Sequence, residues 1–283
     1  MFHAAVLFLV SAGLQLVFGV QRILNLACGS FYALGAYFAV TAVTWALGAG
    51  LPVALFFGVL VLSGLLLAAL LGPPVERLLR RIYGRDEAFQ LLLTFALVLM
   101  FEDAMRFIWG TQPRQLGSLY LAYGQLKLGT LTIPTYNLVV IAAGGAIAAL
   151  MGWFLTRTRF GRIVTATAEN REMAEALGVD MSRVYALVFT LGTALGTVGG
   201  ALVIPATAAV SEMGIELIVE AFAVVVIGGL GSMRGAVAGA LIVGLLRALA
   251  IATVPEVEML AIYLVVVAVL VLRPAGLFAR ASA

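Results

Sequence analysis

Long apolar runs separated by short polar connections set the pattern of this chain. A helix needs roughly 20 apolar residues to cross the hydrocarbon core of a bilayer. The pattern predicts spans at 3–20, 31–49, 52–71, 89–110, 134–155, 183–204, 216–229, 236–253 and 259–272. A transmembrane strand would alternate apolar and polar positions, whereas Leu60–Leu71 is apolar on every side. The seventh and ninth runs, of 14 residues each, are short for a full crossing. That leaves eight or nine crossings, with the seventh a candidate half-helix. The predicted class is all-α: a polytopic transmembrane bundle over 1–283, one domain, with glycine-broken helices and a candidate internal repeat.

Composition changes the picture by exclusion. Of 283 residues, 63% are hydrophobic and 11% charged, against about 25% charged in an ordinary soluble domain. A soluble enzyme of this make-up would leave apolar surface uncovered. One Cys and one His are too few for a structural zinc site, a disulfide framework or a Cys/His catalytic pair. The net charge of +3 reads as membrane orientation rather than as a nucleic-acid partner. Thirteen basic residues (Arg22, Arg77, Arg80, Arg81, Arg85, Arg157, Arg159, Arg162, Arg171, Arg183, Arg234, Arg273, Arg280) fall on one side of the spans, and four (Arg106, Arg114, Lys127, Arg247) on the other. The richer side is the expected cytoplasmic one. Nine crossings then place the N-terminus outside. The first run lacks a basic n-region and a small-residue cleavage site, so it reads as an uncleaved helix.

The longest polar stretch, within the loop 156–183, predicts a short helix over 168–177. Thr167 stands where an N-cap belongs and Gly178 where a C-terminal glycine does. Met173, Ala176 and Leu177 share one face; Glu169, Glu172 and Glu175 line another. Asp180 is placed to cap the next span. An interfacial anchor pairs large apolar residues with Lys and Arg. Small apolar residues beside Glu fit a docking surface for a soluble partner better than a helix lying on anionic lipid.

Two glycine-containing breaks punctuate the apolar runs. One is Asn25 through Ser30, with Cys28 and Gly29, followed by Gly35. The other is Gly228, Gly229, Leu230, Gly231 and Ser232, followed by Gly235 and Gly239. Broken helices in transporters line the substrate path, but glycines also serve close helix packing, and both readings stand. Among ionisable residues, Glu102 and Arg106 are spaced to pair, as structural groups near a span end. Glu220 and Arg247 are the deepest, and an embedded ion pair between them is expected. Glu216, Glu256 and Glu258 lie nearer the ends. No motif of catalysis is present: Gly228–Ser232 lacks the spacing and the Lys of a phosphate-binding loop.

Four pieces, in order, resemble one known family. They are Gly19, Asn25, Ala27, Gly29, Gly35, Ala36 and Tyr37; Thr94, Trp109 and Gly110; Arg157-Thr158, Phe160-Gly161, Ala168, Ala174 and Gly178; and Glu220-Ala221-Phe222 leading to Gly228–Ser232 and Gly235-Ala236. The chain is similar over nearly its whole length to the shorter permease subunit of Liv-type ABC importers for branched-chain amino acids. Two positions depart from the pattern: Cys28 where many members carry His, and Glu220 where some carry Lys.

The resemblance implies a non-enzymatic, multi-pass permease of the bacterial inner membrane, forming half of a translocation pathway. It implies a second homologous permease, two cytoplasmic ATPase subunits docked on the cytoplasmic loops, including the helix over 168–177, and a periplasmic solute-binding protein. ATP is used by those partners; this chain binds no cofactor, metal or nucleic acid. Urea or short-amide permeases are alternatives within the class, with a ribose-type sugar permease ranked below them. A self-sufficient channel or secondary transporter is the alternative outside it.

Overall fold

The structure, a computed structural model, describes residues 1–128, 131–253, 258–273 and 276–278. In chain order its elements are α1 (Phe2–Gln21), α2 (Ala27–Gly48), a 3-10 turn (Val53–Leu55), α3 (Phe56–Arg80), α4 (Glu87–Trp109), α5 (Gly117–Ala122), β1 (Gln125–Leu128), β2 (Leu131–Pro134), α6 (Thr135–Arg157), α7 (Arg159–Glu169), α8 (Arg171–Ala176), α9 (Met181–Val203), α10 (Met213–Gly228), α11 (Met233–Thr253) and α12 (Glu258–Leu272). Each predicted span has its helix. Six are long and apolar enough to cross a membrane: α1, α2, α3 with its entry turn, α6, α9 and α11. The 23-residue α4 carries Glu87, Glu102, Asp103 and Arg106. At 16 and 15 residues, α10 and α12 reach only about 24 and 22 Å at 1.5 Å per residue.

The long helices alternate in direction, which sorts the connections to two ends of the bundle. At one end Gln21 Nε2, closing α1, donates to the carbonyl of Tyr185 in the first turns of α9 (3.0 Å). The turn after α10 packs there too, with Gly231 beside Gly19. Arg22, Arg80, Arg157, Arg183 and Arg234 all sit at helix boundaries of this end, which is therefore the basic end. At the opposite end the Tyr136 hydroxyl of α6 donates to Leu202 O of α9 (2.6 Å), and Trp109 Nε1 of α4 to Thr41 Oγ1 of α2 (2.7 Å). The seventh helix joins the two ends: Glu212, at its start, is bonded to Arg106 of α4, and Gly229 closes it beside Gln15 of α1.

Helix α1 is buried along most of its length and packs against α6, α9, α10 and α11. Without a hydrophobic drive between helices in lipid, close association rests on small residues that let backbones meet. Gly13 of α1 faces Gly192 of α9; Gly35 of α2 faces Thr197; Gly64 and Gly72 of α3 face Val198 and Thr190. A side chain at any of these positions would collide with the neighbouring helix.

Four expectations are corrected. The first break is 22–26, not 25–30: Asn25 Oδ1 accepts from Ala27 N (3.1 Å), so the helix starts directly after it. Helix α3 does not end near 71 but continues through Pro73 and Pro74 to Arg80. Mid-helix prolines cost hydrogen bonds, but the packing of Gly72 on Thr190 and the Glu76–Arg80 pair hold the last turns. The polar connection after α4 contains the hairpin β1–β2, paired antiparallel with Gln125 opposite Pro134. The loop 156–183 holds two helices, described below. Glu256 and Arg280 lie outside the described residues.

Candidate functional site

The basic end presents the segment 156–183 as two short helices. Thr158 caps α7, its Oγ1 accepting from Gly161 N (3.0 Å). The amphipathic α7 then turns Gly161, Val164 and Thr167 inward. Asn170 takes extended backbone angles and caps α8 through Oδ1, which accepts from Met173 N (2.9 Å). So the predicted single helix over 168–177 is split. Thr167 is buried inside α7 instead of capping, and Glu169 belongs to the last turn of α7. Asn170 is the stronger cap because its amide reaches the free N–H groups of the next turn. Gly178 ends α8 with φ +83°, and Val179 N returns to Ala174 O (3.1 Å), a left-handed closure that favours glycine. Asp180 caps α9, its Oδ1 accepting from Arg183 N (3.2 Å).

Of α8, only Ala174 is buried. Met173 and Leu177 are 58% and 78% exposed, and Glu172, Glu175 and Ala176 are exposed with them. The fold leaves the apolar and acidic surfaces of α8 uncovered. Its attachment is specific. Arg171 stacks 5.4 Å over the Tyr185 ring, and Tyr185 meets Tyr83 edge-on at 5.4 Å. The Tyr83 hydroxyl donates to Glu76 (3.3 Å), a fully buried carboxylate that also accepts from Arg80 (2.6 and 2.9 Å). Arg80 in turn bonds Ser182 at the start of α9. Burial, and next the Glu76 charge, push the Tyr83 hydroxyl well above its ordinary range.

The two glycine breaks differ in geometry. In the first, Cys28 Sγ approaches Val10 O (3.8 Å), so α2 begins beside the middle of α1 rather than at its end. Asn25, Cys28 and Ser30 are buried there. Gly29 packs on Gly214 of α10, and Gly35 on Thr197. The second is a tight turn with φ +94° at Gly229 and +78° at Gly231. Ser232 Oγ accepts from Gly235 N (3.1 Å), Gly228 and Gly235 press backbone to backbone, and Gly231 is exposed. The side chain of Gln15 clamps this turn, donating to Gly229 O (2.9 Å) and accepting from Gly231 N. The likeness of the two breaks stops at residue type, and in this conformation most of their glycines serve close packing.

Toward the opposite end, three helices meet through charge. Arg247 Nη1 of α11 lies 2.9 Å from Glu220 Oε1 of α10. His3 of α1 joins them, with Nε2 2.6 Å from Glu220 Oε2. The Glu220 side chain is 12% exposed. Beside it, between α10 and α12, opens a cleft of about 230 Å³ lined by Ile215, Glu216, Val219, Glu220, Ile262 and Tyr263. A second charged cluster ties α4 to the start of α10: Arg106 Nη2 contacts Glu102 Oε1 (2.5 Å) and Glu212 Oε1 (2.8 Å). That bond to Arg106, aided by the bond to Ser211, holds the Glu212 carboxyl below its ordinary range. Among the described residues no group of three His, Cys, Asp or Glu is placed to hold a metal ion.

Against this geometry the comparisons with known proteins are specific. Residues 1–270 match the family described as branched-chain amino acid transport system / permease component. The chain belongs to that family. The permease is 27% identical over 286 residues to the high-affinity branched-chain amino acid transport system permease protein LivH of Escherichia coli, covering 96% of this chain and 91% of the relative. It is 24% identical over 280 residues to the corresponding protein BraD of Pseudomonas aeruginosa, with the same coverage. Among solved structures, PsaBC from Streptococcus pneumoniae in complex with Fab aligns over 94% of this chain and 86% of that one, at 14% identity and a TM-score of 0.46.

Several residues central to the permease were not singled out from sequence. His3 was counted but given no place beside Glu220. Gln15 is an amide deep in an apolar run, and that marks a polar group in need of a partner. Glu76 lies beyond Pro73-Pro74, where the predicted span had ended.

Proposed function

We propose that this chain is one of the two permease subunits of an ABC importer of the inner membrane, carrying branched-chain amino acids. The observation that supports it most is α8. A member of the permease family presents, at its basic end, a capped helix whose Met173, Ala176 and Leu177 are left exposed beside Glu172 and Glu175. Two ATPase subunits dock on the cytoplasmic loops, this surface among them, with Glu169 and Gly178 at its margins. A second homologous permease completes the pathway, and a periplasmic solute-binding protein delivers the solute at the opposite end. ATP is bound and hydrolysed by the partners, and the permease itself carries no cofactor and catalyses no reaction. Asn25, Cys28, Gly29, Ser30 and Gly35 on one side, and Gly228, Gly229, Gly231, Ser232 and Gly235 on the other, border the moving parts of the path. The solute biases the outward- and inward-facing states only through its differential affinity for them.

The test is a set of coupling variants in the reconstituted complex: Leu177→Glu, Glu172→Lys and Gly178→Val. The last forces a β-branched residue into a left-handed backbone, at a cost of roughly 1–2 kcal/mol. Each is expected to leave membrane insertion intact and to separate ATP hydrolysis from leucine uptake. Undiminished uptake in all three would make α8 a mere connector. Uptake by the purified chain alone, without ATP or partners, would overturn the whole reading.

A further inference from the structure

The cleft between α10 and α12 has a charged wall and an apolar one. Glu216 and Glu220 lie one helical turn apart, so both reach the same side of α10. Ile215, Val219, Ile262 and Tyr263 supply the rest of the lining. Glu220 is fixed in place by Arg247 and His3, whereas Glu216 has no ion pair among the described residues. Of the two carboxyl groups in the cleft, Glu216 is thus the one that no described cation faces. An ionised side chain exposed on a helix of this apolarity is not left against lipid tails; it faces water or protein. The volume, about 230 Å³, equals that of roughly eight waters at ~30 Å³ each. That is room for one small organic molecule and not for a peptide.

We propose that this cleft is a subsite for the transported solute, receiving an ammonium group at Glu216 and Glu220 and a branched aliphatic side chain against Ile215, Val219, Ile262 and Tyr263. The proposal rests on the permease reading above and names where that solute is held. The charge decides the class. An acidic solute is repelled, and a neutral short amide offers Glu216 its N–H groups but no opposite charge. A monoamine with an apolar side chain satisfies both walls.

The experiment uses the complete transporter, purified with its partner subunits into nanodiscs, and a diazirine-bearing analogue of leucine as the probe. After irradiation, labelled positions are mapped by mass spectrometry. Labelling is expected on Ile215, Val219, Ile262 or Tyr263, displaced by leucine but not by the α-keto acid that lacks its ammonium group. Glu216→Gln preserves shape and removes one charge-assisted contact. It is expected to raise the leucine concentration for half-displacement about tenfold, the lower part of the range for hydrogen bonds to charged groups. Tyr263→Ala, which spares every ion pair, is expected to redistribute the label within the cleft. Label mapping to other helices, or displacement by leucine unaffected by Glu216→Gln, overturns the subsite. ATP-dependent leucine uptake by the wild-type complex is measured on the same preparation. Uptake with label elsewhere refutes the subsite alone, whereas absence of uptake refutes the permease reading beneath it.

Discussion

Replacing Gly13 by alanine probes the contact on which the bundle turns. A Cβ built on Gly13 falls 2.5 Å from the carbonyl oxygen of Gly192 and 3.3 Å from its carbon. Both partners are backbone, so no side chain can swing aside. Tolerable contacts at such positions begin at 3.0–3.4 Å, so α1 and α9 must separate locally by about 0.5–0.9 Å. A radial gap of 0.5–1 Å already forfeits a quarter to a half of each dispersion well. Overpacking of this kind costs about 1–3 kcal/mol. Alanine also gains up to ~1 kcal/mol over glycine in a helix interior, which would mask part of the cost. Gly145→Ala in α6 removes that ambiguity, because a Cβ there meets nothing within 4 Å and gains the same propensity. The two variants should therefore differ by about 2 kcal/mol, or roughly 4–8 °C in Tm by the scaling for chains of this size. Thermal unfolding of both in one detergent, followed by loss of the monodisperse peak, measures the gap. Equal Tm values, or Gly13→Ala above Gly145→Ala, would refute the claim that backbone approach at α1–α9 holds the bundle.

Three further outcomes are expected. Glu220→Ala and Arg247→Ala each strand a mostly buried charge, at up to about 3 kcal/mol; the double variant should cost less than the two singles together, and an additive cycle in unfolding titrations would deny the pair any coupling. Gln15→Leu removes both bonds to the second glycine turn, at about 1–3 kcal/mol, and should raise protease cleavage at Leu230 in the folded protein; an unchanged cleavage rate would show that the clamp is idle. The Glu212 carboxyl is depressed below its ordinary 4.5 by Arg106. Its contribution is thus present above pH 4.5 and lost as pH falls through the lowered folded value. Proteolysis of the 204–212 connection should therefore rise only in strongly acid buffer, with that rise absent in Glu212→Gln.

The spans were legible because lipid imposes one rule, a run of apolar residues long enough to cross, and each predicted run has its helix. The ends of the elements were less so. Asn25 and Asn170 start helices through side-chain bonds, and at the second of these Thr167 stood as a competing cap candidate. Pro73-Pro74 reads as a stop when only local chemistry is weighed, but tertiary contacts at Gly72, Glu76 and Arg80 carry α3 past it. The Glu220–Arg247 contact was expected from depth and charge alone. The addition of His3 was not, because its partner lies 217 residues away in sequence. The cleft beside them was equally hidden, since it exists only where α12 returns to α10.

The central position of α1 has a consequence for how the protein is made. Helix α1 leaves the ribosome well before the helices that complete its surface. Its partners at Gly13 and at Ala4 are Gly192 and Gly244, so the small-residue face of α1 waits until most of the chain has been synthesised. Contacts this distant in sequence are slow to form and expose intermediates to misassembly. Until α9 and α11 arrive, α1 must be sheltered by lipid, by the insertion machinery or by a transient neighbour. Translation arrested before α9 should therefore leave an inserted but unassembled chain, and such a chain is a natural substrate for membrane quality control.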